Sequence, residues 1–290
     1  MKIIIGKNTK NPLEVNRMGY GTMRLTGPQI WGEPEDRPQA LRVLRTAVEK
    51  GVNFLDTADY YGKDVTNRLI REALYPYPKD LVICTKVGGT RGDDKSWRTY
   101  STPQNLRDSI ENNLRTLKVE QISLVHFRVI SPYMVPFEES LDALFELQRE
   151  GKIVHLGLSN VSPEEVEMGL KMGVIASVEN AYGYVQRRSF TAPHGGLTRG
   201  GEEVLSICEK HEIPLIPFFS LVNSLPEKDN KIAAIASKYG ATEAQVNLAW
   251  LLHKSPWILP IPGTSKVAHL EENQKATEMR LTEEDMEYLG

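Results

Sequence analysis

The sequence predicts an α/β protein of the (β/α)8, or TIM-barrel, class. Three observations lead there. Eight short apolar runs alternate with amphipathic helical patterns. No linker or shift in composition divides the chain. Its 290 residues suit such a barrel, which needs roughly 250. An open doubly wound sheet is the competing architecture, but the count of eight and the lack of a Gly-x-Gly-x-x-Gly turn argue against it. We expect one domain over 1–290, with an N-terminal β-hairpin and extra helices in the C-terminal half.

Residues 2–16 read as the hairpin, turning near Lys7–Pro12. The predicted strands are Met18–Thr22, Asn53–Asp56, Leu81–Thr85, Ile122–His126, Val154–Leu158, Ile175–Glu179, Pro214–Phe218 and Ile258–Pro260. The predicted helices cover 37–50, 65–74, 103–117, 137–149, 163–172, 201–211, 228–239, 242–253 and 266–275. Helical spacing shows in Val65, Leu69, Ile70, Ala73 and Leu74. Thr102-Pro103 and Ser162-Pro163 each place an N-cap before a proline at the first helical position. Thr242 with Gln245 fits a capping box. Gly51, Gly151 and Gly173 each suit a helix C-terminus.

Hydrophobic residues make up 40% of the chain, enough for a large core, and the net charge is −3 with acids and bases interspersed. There is no basic stripe, which argues against a nucleic-acid partner. Cys84 and Cys208 are too few for a disulfide framework or a zinc cluster and read as buried thiols in a reduced compartment. Met1–Gly6 is too short an apolar run for a signal peptide, and no run reaches membrane-spanning length. The expectation is a soluble cytoplasmic protein, free of metal, acting as a monomer or weak homo-oligomer.

Barrel enzymes carry their catalytic residues at the C-terminal ends of the strands. The polar residues at those ends are Asp56, Lys86, His126, Ser159-Asn160 and Glu179-Asn180. Tyr61 follows Asp56 within Asn53-Phe54-Leu55-Asp56-Thr57-Ala58-Asp59-Tyr60-Tyr61-Gly62. A phenol ionises at about pH 10. Lys86, held by Asp56, would put a positive charge near the Tyr61 hydroxyl, lower its pKa and make it a usable general acid. His126 would hydrogen-bond a substrate carbonyl. The set suits a reaction in which a carbonyl oxygen gains negative charge while its carbon receives a hydride. Each member also has a structural alternative: an ion pair for Asp56–Lys86, a rim aromatic for Tyr61, a core histidine for His126. Their succession at strand ends favours the chemistry. The histidines lack metal-ligand spacing.

A second signal lies near the C-terminus, in Ile258-Leu259-Pro260-Ile261-Pro262-Gly263-Thr264-Ser265-Lys266. Gly263 lets a ligand come close to the backbone. Thr264, Ser265 and the following helix N-terminus offer anion-binding donors, and Lys266 adds charge. A capped turn with no ligand is the alternative.

Together these residues resemble the aldo-keto reductase superfamily. The matching pieces are Met18-Gly19-Tyr20-Gly21-Thr22-Met23, Asn53 to Gly62, Thr85-Lys86-Val87-Gly88, Leu124-Val125-His126, Gly157-Leu158-Ser159-Asn160, Val178-Glu179-Asn180 and Ile261-Pro262-Gly263-Thr264 through Glu272-Asn273. They fall in the family's order and cover nearly the whole chain. The resemblance implies the same barrel and a catalytic tetrad of Asp56, Tyr61, Lys86 and His126. It implies NADPH/NADP as cofactor, bound extended and without a Rossmann domain. Gly21, Thr22, Met23 and Asp56 would lie along it. Ser159, Asn160 and Glu179 would hold the nicotinamide carboxamide, with Phe218 stacked on the ring. Ser220 and Leu221 would follow the pyrophosphate. Thr264, Ser265 and Lys266, beyond Gly263, would meet the adenosine 2′-phosphate, and His269, Glu272 and Asn273 the adenine side.

Two positions depart from the family pattern. Glu179 stands where glutamine is usual; a carboxylate there would favour the oxidised, positively charged nicotinamide. His269 stands where a longer basic or amide residue is common, which bears on the choice of NADP over NAD. Retention of His126 favours carbonyl reduction over reduction of carbon–carbon double bonds.

A closer resemblance is to a bacterial branch of oxidoreductases that includes pyridoxal reductases. It is carried by Leu25-Thr26-Gly27-Pro28, Trp31-Gly32, Asp36-Arg37, Val65-Thr66-Asn67, Arg71 through Tyr77, Pro217-Phe218-Phe219 and Ser265 through Leu270. It implies an aromatic aldehyde such as pyridoxal as the small-molecule partner. With no long C-terminal loop, an open site is expected, bordered by Met23, Trp31, Tyr60, Arg91, Trp97 and Arg128. Loop packing is an equal reading for Trp31 and Trp97. The alternatives in function are another small aldehyde, ketone or sugar carbonyl, or a cofactor-sensing regulatory subunit.

Overall fold

The computed structural model describes residues 1–191, 196–221 and 230–290. The chain opens with β1 (Lys2–Ile5) and β2 (Leu13–Asn16), paired antiparallel. A curled parallel sheet follows, formed in order by β3 (Tyr20–Gly21), β4 (Phe54–Asp56), β5 (Val82–Arg91), β7 (Ile122–Arg128), β8 (Ile153–Ser159) and β9 (Val178–Glu179). Between β5 and β7 in the chain, β6 (Trp97–Tyr100) folds back antiparallel on β5. Beyond β9 the ladder continues as single bridges, Val178 to Leu215 and Leu215 to Ile258. The Gly19 amide then donates to the Pro260 carbonyl at 2.9 Å, which returns the sheet to its first strand. The arrangement fits a (β/α)8 barrel.

The predicted strands at Pro214–Phe218 and Ile258–Pro260 are corrected to those isolated bridges. Pro214, Pro217 and Pro260 each remove an N–H that a longer ladder would use. The predicted first and sixth strands likewise shrink, to Tyr20–Gly21 and Val178–Glu179.

Strand parity decides which side chains face the interior. Successive residues alternate sides. Phe54, Val82, Cys84, Leu124 and Ile216 fill the barrel, and Ile3, Ile5 and Val15 of the first two strands pack against them. Leu55 and Ile83 belong instead to an outer layer with helical residues such as Leu44 and Leu69. Both faces are therefore buried, which is why the strands read as unbroken apolar runs. The same parity carries Asp56, Lys86, His126 and Arg128 onto the inner face near the strand ends.

The helices are α1 (Arg37–Glu49), α2 (Val65–Leu74), α3 (Pro103–Leu117), α4 (Phe137–Arg149), α5 (Pro163–Met172), α6 (Glu202–Lys210), α7 (Asn230–Tyr239), α8 (Glu243–Lys254) and α9 (Val267–Lys275). They follow the predicted ranges closely because their ends are set locally. Thr102 accepts from the Asn105 amide, and Ser162 and Thr242 form capping boxes with Glu165 and Gln245. Residues 228 and 229 of the predicted seventh helix lie outside the described residues. Among the elements not predicted are β6, α10 (Glu283–Leu289), capped by Thr282, and the short antiparallel pair β10 (Phe190–Thr191) and β11 (Leu197–Thr198). Gly51 and Gly151 end their helices with left-handed φ of 89° and 82°. Gly173 does not, since its backbone is extended; a Cβ there would instead meet the Phe145 ring. Among the described residues no helix is long and apolar enough to cross a membrane.

Candidate active site

A cleft of about 1110 Å³ opens over the inner face at the strand ends. Asp56, at the end of β4, Lys86 on β5, and Glu179, at the end of β9, contribute side chains to it, as does Tyr61 from the loop after β4. Gly21 and Gly263 form part of its lining, back to back. A Cβ on Gly21 would lie 2.7 Å from the Ile261 carbonyl, and one on Gly263 would lie 2.6 Å from the Gly21 carbonyl. Bare backbone is thus required where β3 meets the end of the barrel.

Lys86 is the hub. Its Nζ donates to both Asp56 oxygens at 2.6 Å and to the Thr57 carbonyl at 3.2 Å. It stands 5.3 Å from the centre of the Tyr61 ring. Tyr60 meets Tyr61 edge to face with centroids 5.3 Å apart, which fixes the phenol from the other side. Asp56, Tyr61 and Lys86 are all buried, yet all three border the cleft.

Burial governs the electrostatics. It raises the Asp56 carboxyl above its ordinary range, with the Glu179 carboxylate adding to it and Lys86 opposing. Lys86 remains charged: burial would lower it, but Asp56 and Glu179 together hold it well above its usual value. The expectation for Tyr61 needs correction. Burial raises the phenol to about 12; Lys86 does pull it down, but Asp56 and Glu179 push it back up. The phenol is therefore protonated throughout the neutral range.

His126 also departs from expectation. Its ring is fully buried and does not line the cleft. Nδ1 lies 2.9 Å from a Glu179 oxygen and 3.1 Å from Cys84 Sγ, and Nε2 lies 2.8 Å from Ser177 Oγ. Both ring nitrogens are thus engaged away from the cleft. The cause is Gly157, which pairs in register with His126 and leaves the room its ring occupies; a Cβ on Gly157 would meet that ring. Burial lowers the His126 pKa, so the imidazole is neutral at pH 7. It bears on the cleft through Glu179. That carboxylate, fully buried, also lies 3.5 Å from Lys86, and neither of its oxygens receives a well-directed hydrogen bond. Its ties to the lysine and the histidine are chiefly electrostatic. Asp56, Cys84 and His126 lie close enough together to hold a metal ion, but Asp56 and His126 already have the partners given above.

A buried polar network stands behind the cluster and was not foreseen. Thr57 Oγ1 meets Thr66 Oγ1 at 2.8 Å and donates to Asn67 Oδ1 at 3.0 Å. Asn67 donates to Asn113 at 2.9 Å, and Thr85 Oγ1 donates to the same Asn113 oxygen at 2.7 Å. Thr57 and Thr85 are the chain neighbours of Asp56 and Lys86, so α2 and α3 clamp both ends of the ion pair. In the sequence Thr66, Asn67 and Asn113 lie on helices while Thr57 and Thr85 adjoin strand-end residues, and nothing there pairs them; only the packing brings them together.

The other expected residues divide. Met23, Asn160, Phe218, Ser220 and Leu221 line the cleft. Asn160, with a left-handed φ of 61°, spends its amide on the Val129 and Leu197 carbonyls and the Arg199 amide. Thr22 and Ser159 are buried behind the lining; Thr22 donates to the Asp56 carbonyl at 2.9 Å, and Ser159 accepts from Arg128 at 3.3 Å. Thr264, Ser265, Lys266, His269, Glu272 and Asn273 lie outside the lining, on the segment that follows Gly263. There Lys266 is the N-cap of α9 without any side-chain cap, leaving the first-turn amides available to an anion. Glu272 is held by Thr242 at 2.6 Å. Of the expected substrate border, Met23, Tyr60, Arg91, Trp97 and Arg128 line the cleft, but Trp31 does not. Trp31 packs instead against Lys63 and Arg91, 5.0 and 5.7 Å from its ring. Ile130 and Ser131, just past β7, line the cleft without any sequence motif to mark them.

Comparison with known proteins agrees with this geometry. Residues 17–290 match a family model described as the aldo/keto reductase family. The chain is 43% identical to Escherichia coli pyridoxine 4-dehydrogenase, covering 93% of this chain and 92% of that one. It is 38% identical to an uncharacterised oxidoreductase of Schizosaccharomyces pombe over 93% of this chain and 84% of the relative. Among solved structures, a thermostable aldo-keto reductase crystallised with the inhibitor epalrestat superposes with a TM-score of 0.81 at 28% identity, covering 100% and 98% of the two chains.

Proposed function

The chain belongs to the aldo/keto reductase family and is an NAD(P)H-dependent oxidoreductase, and on that premise we propose that it reduces an aromatic aldehyde such as pyridoxal to the alcohol, using NADPH. The observation that carries the reading is the protonated Tyr61 phenol bordering the cleft beside a Lys86 ammonium clamped by Asp56 at 2.6 Å. Pyridoxal enters by likeness to the E. coli pyridoxine 4-dehydrogenase, whose name describes the alcohol and aldehyde pair in the opposite direction.

The residues present fit the cofactor. Gly21 and Gly263 line the cleft with bare backbone, and the start of α9, which no side chain caps, with Thr264, Ser265 and Lys266 suits a phosphate. Glu179 and Phe218, which line the cleft, would meet the nicotinamide, and Asn160 shapes the same wall with Ser159 behind it. Bound NADPH supplies the hydride. The chain supplies the proton and the orientation. Tyr61 Oη gives its proton to the carbonyl oxygen as negative charge develops there. Lys86 then stabilises the phenolate left behind, and Asp56 fixes Lys86 in place. His126 holds Glu179 at the inner end of the cleft.

Nicotinamide absorbance during turnover tests the reading, with pyridoxal and a panel of small aldehydes, ketones and sugars, each with NADPH and NADH. Pyridoxal with NADPH is expected to rank among the highest kcat/KM values. Absence of turnover on every carbonyl, with tight NADPH binding retained, would replace this reading with a cofactor-sensing one.

A further inference from the structure

We propose that Arg128 forms a carboxylate subsite in the cleft, so that among simple benzaldehydes the carboxylated ones are preferred. The inference rests on the carbonyl-reductase reading above and adds to it a substrate class beside pyridoxal, which carries no carboxylate. Among the described residues, five cationic side chains line the cleft: Arg24, Lys86, Arg91, Lys95 and Arg128. Lys86 is committed to Asp56, Glu179 and the Thr57 carbonyl. Arg24 and Lys95 are exposed, where water screens an ion pair. Arg91 is saturated. Its Nε and both terminal nitrogens donate to the carbonyls of Gln29, Ile30 and Lys95, and its guanidinium lies 4.2 Å from the Trp97 ring centre. It braces the cleft wall that it lines.

Arg128 differs from all of these. It is half-buried, and its guanidinium lies 4.6 Å from the centre of the Phe218 ring. It makes one side-chain hydrogen bond to a described residue, to Ser159 Oγ at 3.3 Å, and no ion pair with any described residue. An arginine carries five N–H donors in a planar fork that matches a carboxylate at two points. Among the described residues nothing else takes up the rest of that fork, and Arg128 lines the cleft. It lines the same cleft as Tyr61, and its charge acts on Asp56, Tyr60, Tyr61 and Glu179. The cleft lining nearby is apolar and aromatic: Tyr60 and Trp97 meet edge to face at 5.6 Å, and Ile130 lines the same cleft. A flat ring held against such a wall, with its anionic end on the fork, uses both features at once.

The test compares kcat/KM for 4-carboxybenzaldehyde and benzaldehyde with NADPH, using the full chain as wild type, R128M and R128K. The wild type is expected to prefer the carboxylate. R128M is expected to lose that preference by about 10- to 100-fold, the worth of a hydrogen bond to a charged group. R128K is expected to keep part of it, as a point charge without the fork. A preference that survives in R128M overturns the assignment, as does a raised KM for NADPH with both aldehydes affected alike. If the wild type oxidises NADPH with neither aldehyde, the carbonyl-reductase reading falls instead. Arg128 is then judged by benzoate binding, followed by tryptophan fluorescence: loss in R128M supports the anion site, and persistence overturns it.

Discussion

At Tyr61, neighbouring charges and burial pull in opposite directions, and burial prevails. The folded phenol, raised to about 12, is suited to giving a proton rather than taking one. Tyr61→Phe is expected to lower kcat/KM for carbonyl reduction by about 10²- to 10⁴-fold, the usual worth of a positioned acid. NADPH affinity, measured by fluorescence titration, should stay near wild type; a reduction rate near wild type rejects Tyr61 as the acid. Glu179 is the second decisive residue. Its buried carboxylate lies 3.5 Å from Lys86 and raises the Tyr61 pKa. Glu179→Gln removes a single charge that both favours a cationic ring and holds the phenol proton. NADP⁺ should then bind more weakly relative to NADPH, and the alkaline limb of the reduction rate should move to lower pH. An unchanged affinity ratio together with an unmoved limb would sink the idea. The residue types of the tetrad are legible in the sequence because they recur at strand ends. The turn of His126 away from the cleft is not, because it depends on the space left by Gly157 on the next strand.

The elements separate into those set locally and those set by their neighbours. Helices α3, α5 and α8 begin where Thr102, Ser162 and Thr242 cap them, and a cap is a short-range device visible in a few residues. The last two strands depend on distant partners and on where prolines interrupt them, so the chain alone overstates them. The cross-link between α2 and α3 belongs to this level as well. Asn113 accepts from Asn67 at 2.9 Å and from Thr85 at 2.7 Å, and donates to the Ser109 carbonyl at 2.9 Å. Asn113→Leu strands the Asn67 and Thr85 donors in a buried setting. It should cost on the order of 3 kcal/mol in urea unfolding. It should also lower kcat, because Thr85 adjoins Lys86. A full loss of stability without any change in kcat would show that the clamp supports the fold alone.

Across the whole molecule, burial makes stability depend on pH. Asp59 is buried, with one oxygen unpartnered among the described residues and the other accepting from Ser109 at 2.8 Å; burial raises its carboxyl to about 7. Unfolded, an aspartate ionises near pH 3.9. The folded chain thus holds this proton more tightly, and the stability it contributes is present below about pH 4 and lost as the pH rises through 7. Asp59→Asn should be more stable than wild type at pH 8, by on the order of 1 kcal/mol, and should lose that advantage at pH 4. Denaturant midpoints at the two pH values check this; equal differences at both would show that Asp59 does not titrate in this range. The sequence by itself determined the α/β class, the helix ranges and the residue types of the candidate site. Periodicity, caps and short motifs are local, and each is complete within a few turns of chain. Only the tertiary structure decided which of the cleft arginines keeps donors unfilled by described residues, where the Glu179 carboxylate sits, and which way His126 faces. Each of those depends on whether a donor or acceptor has already been filled by a residue far away in the chain.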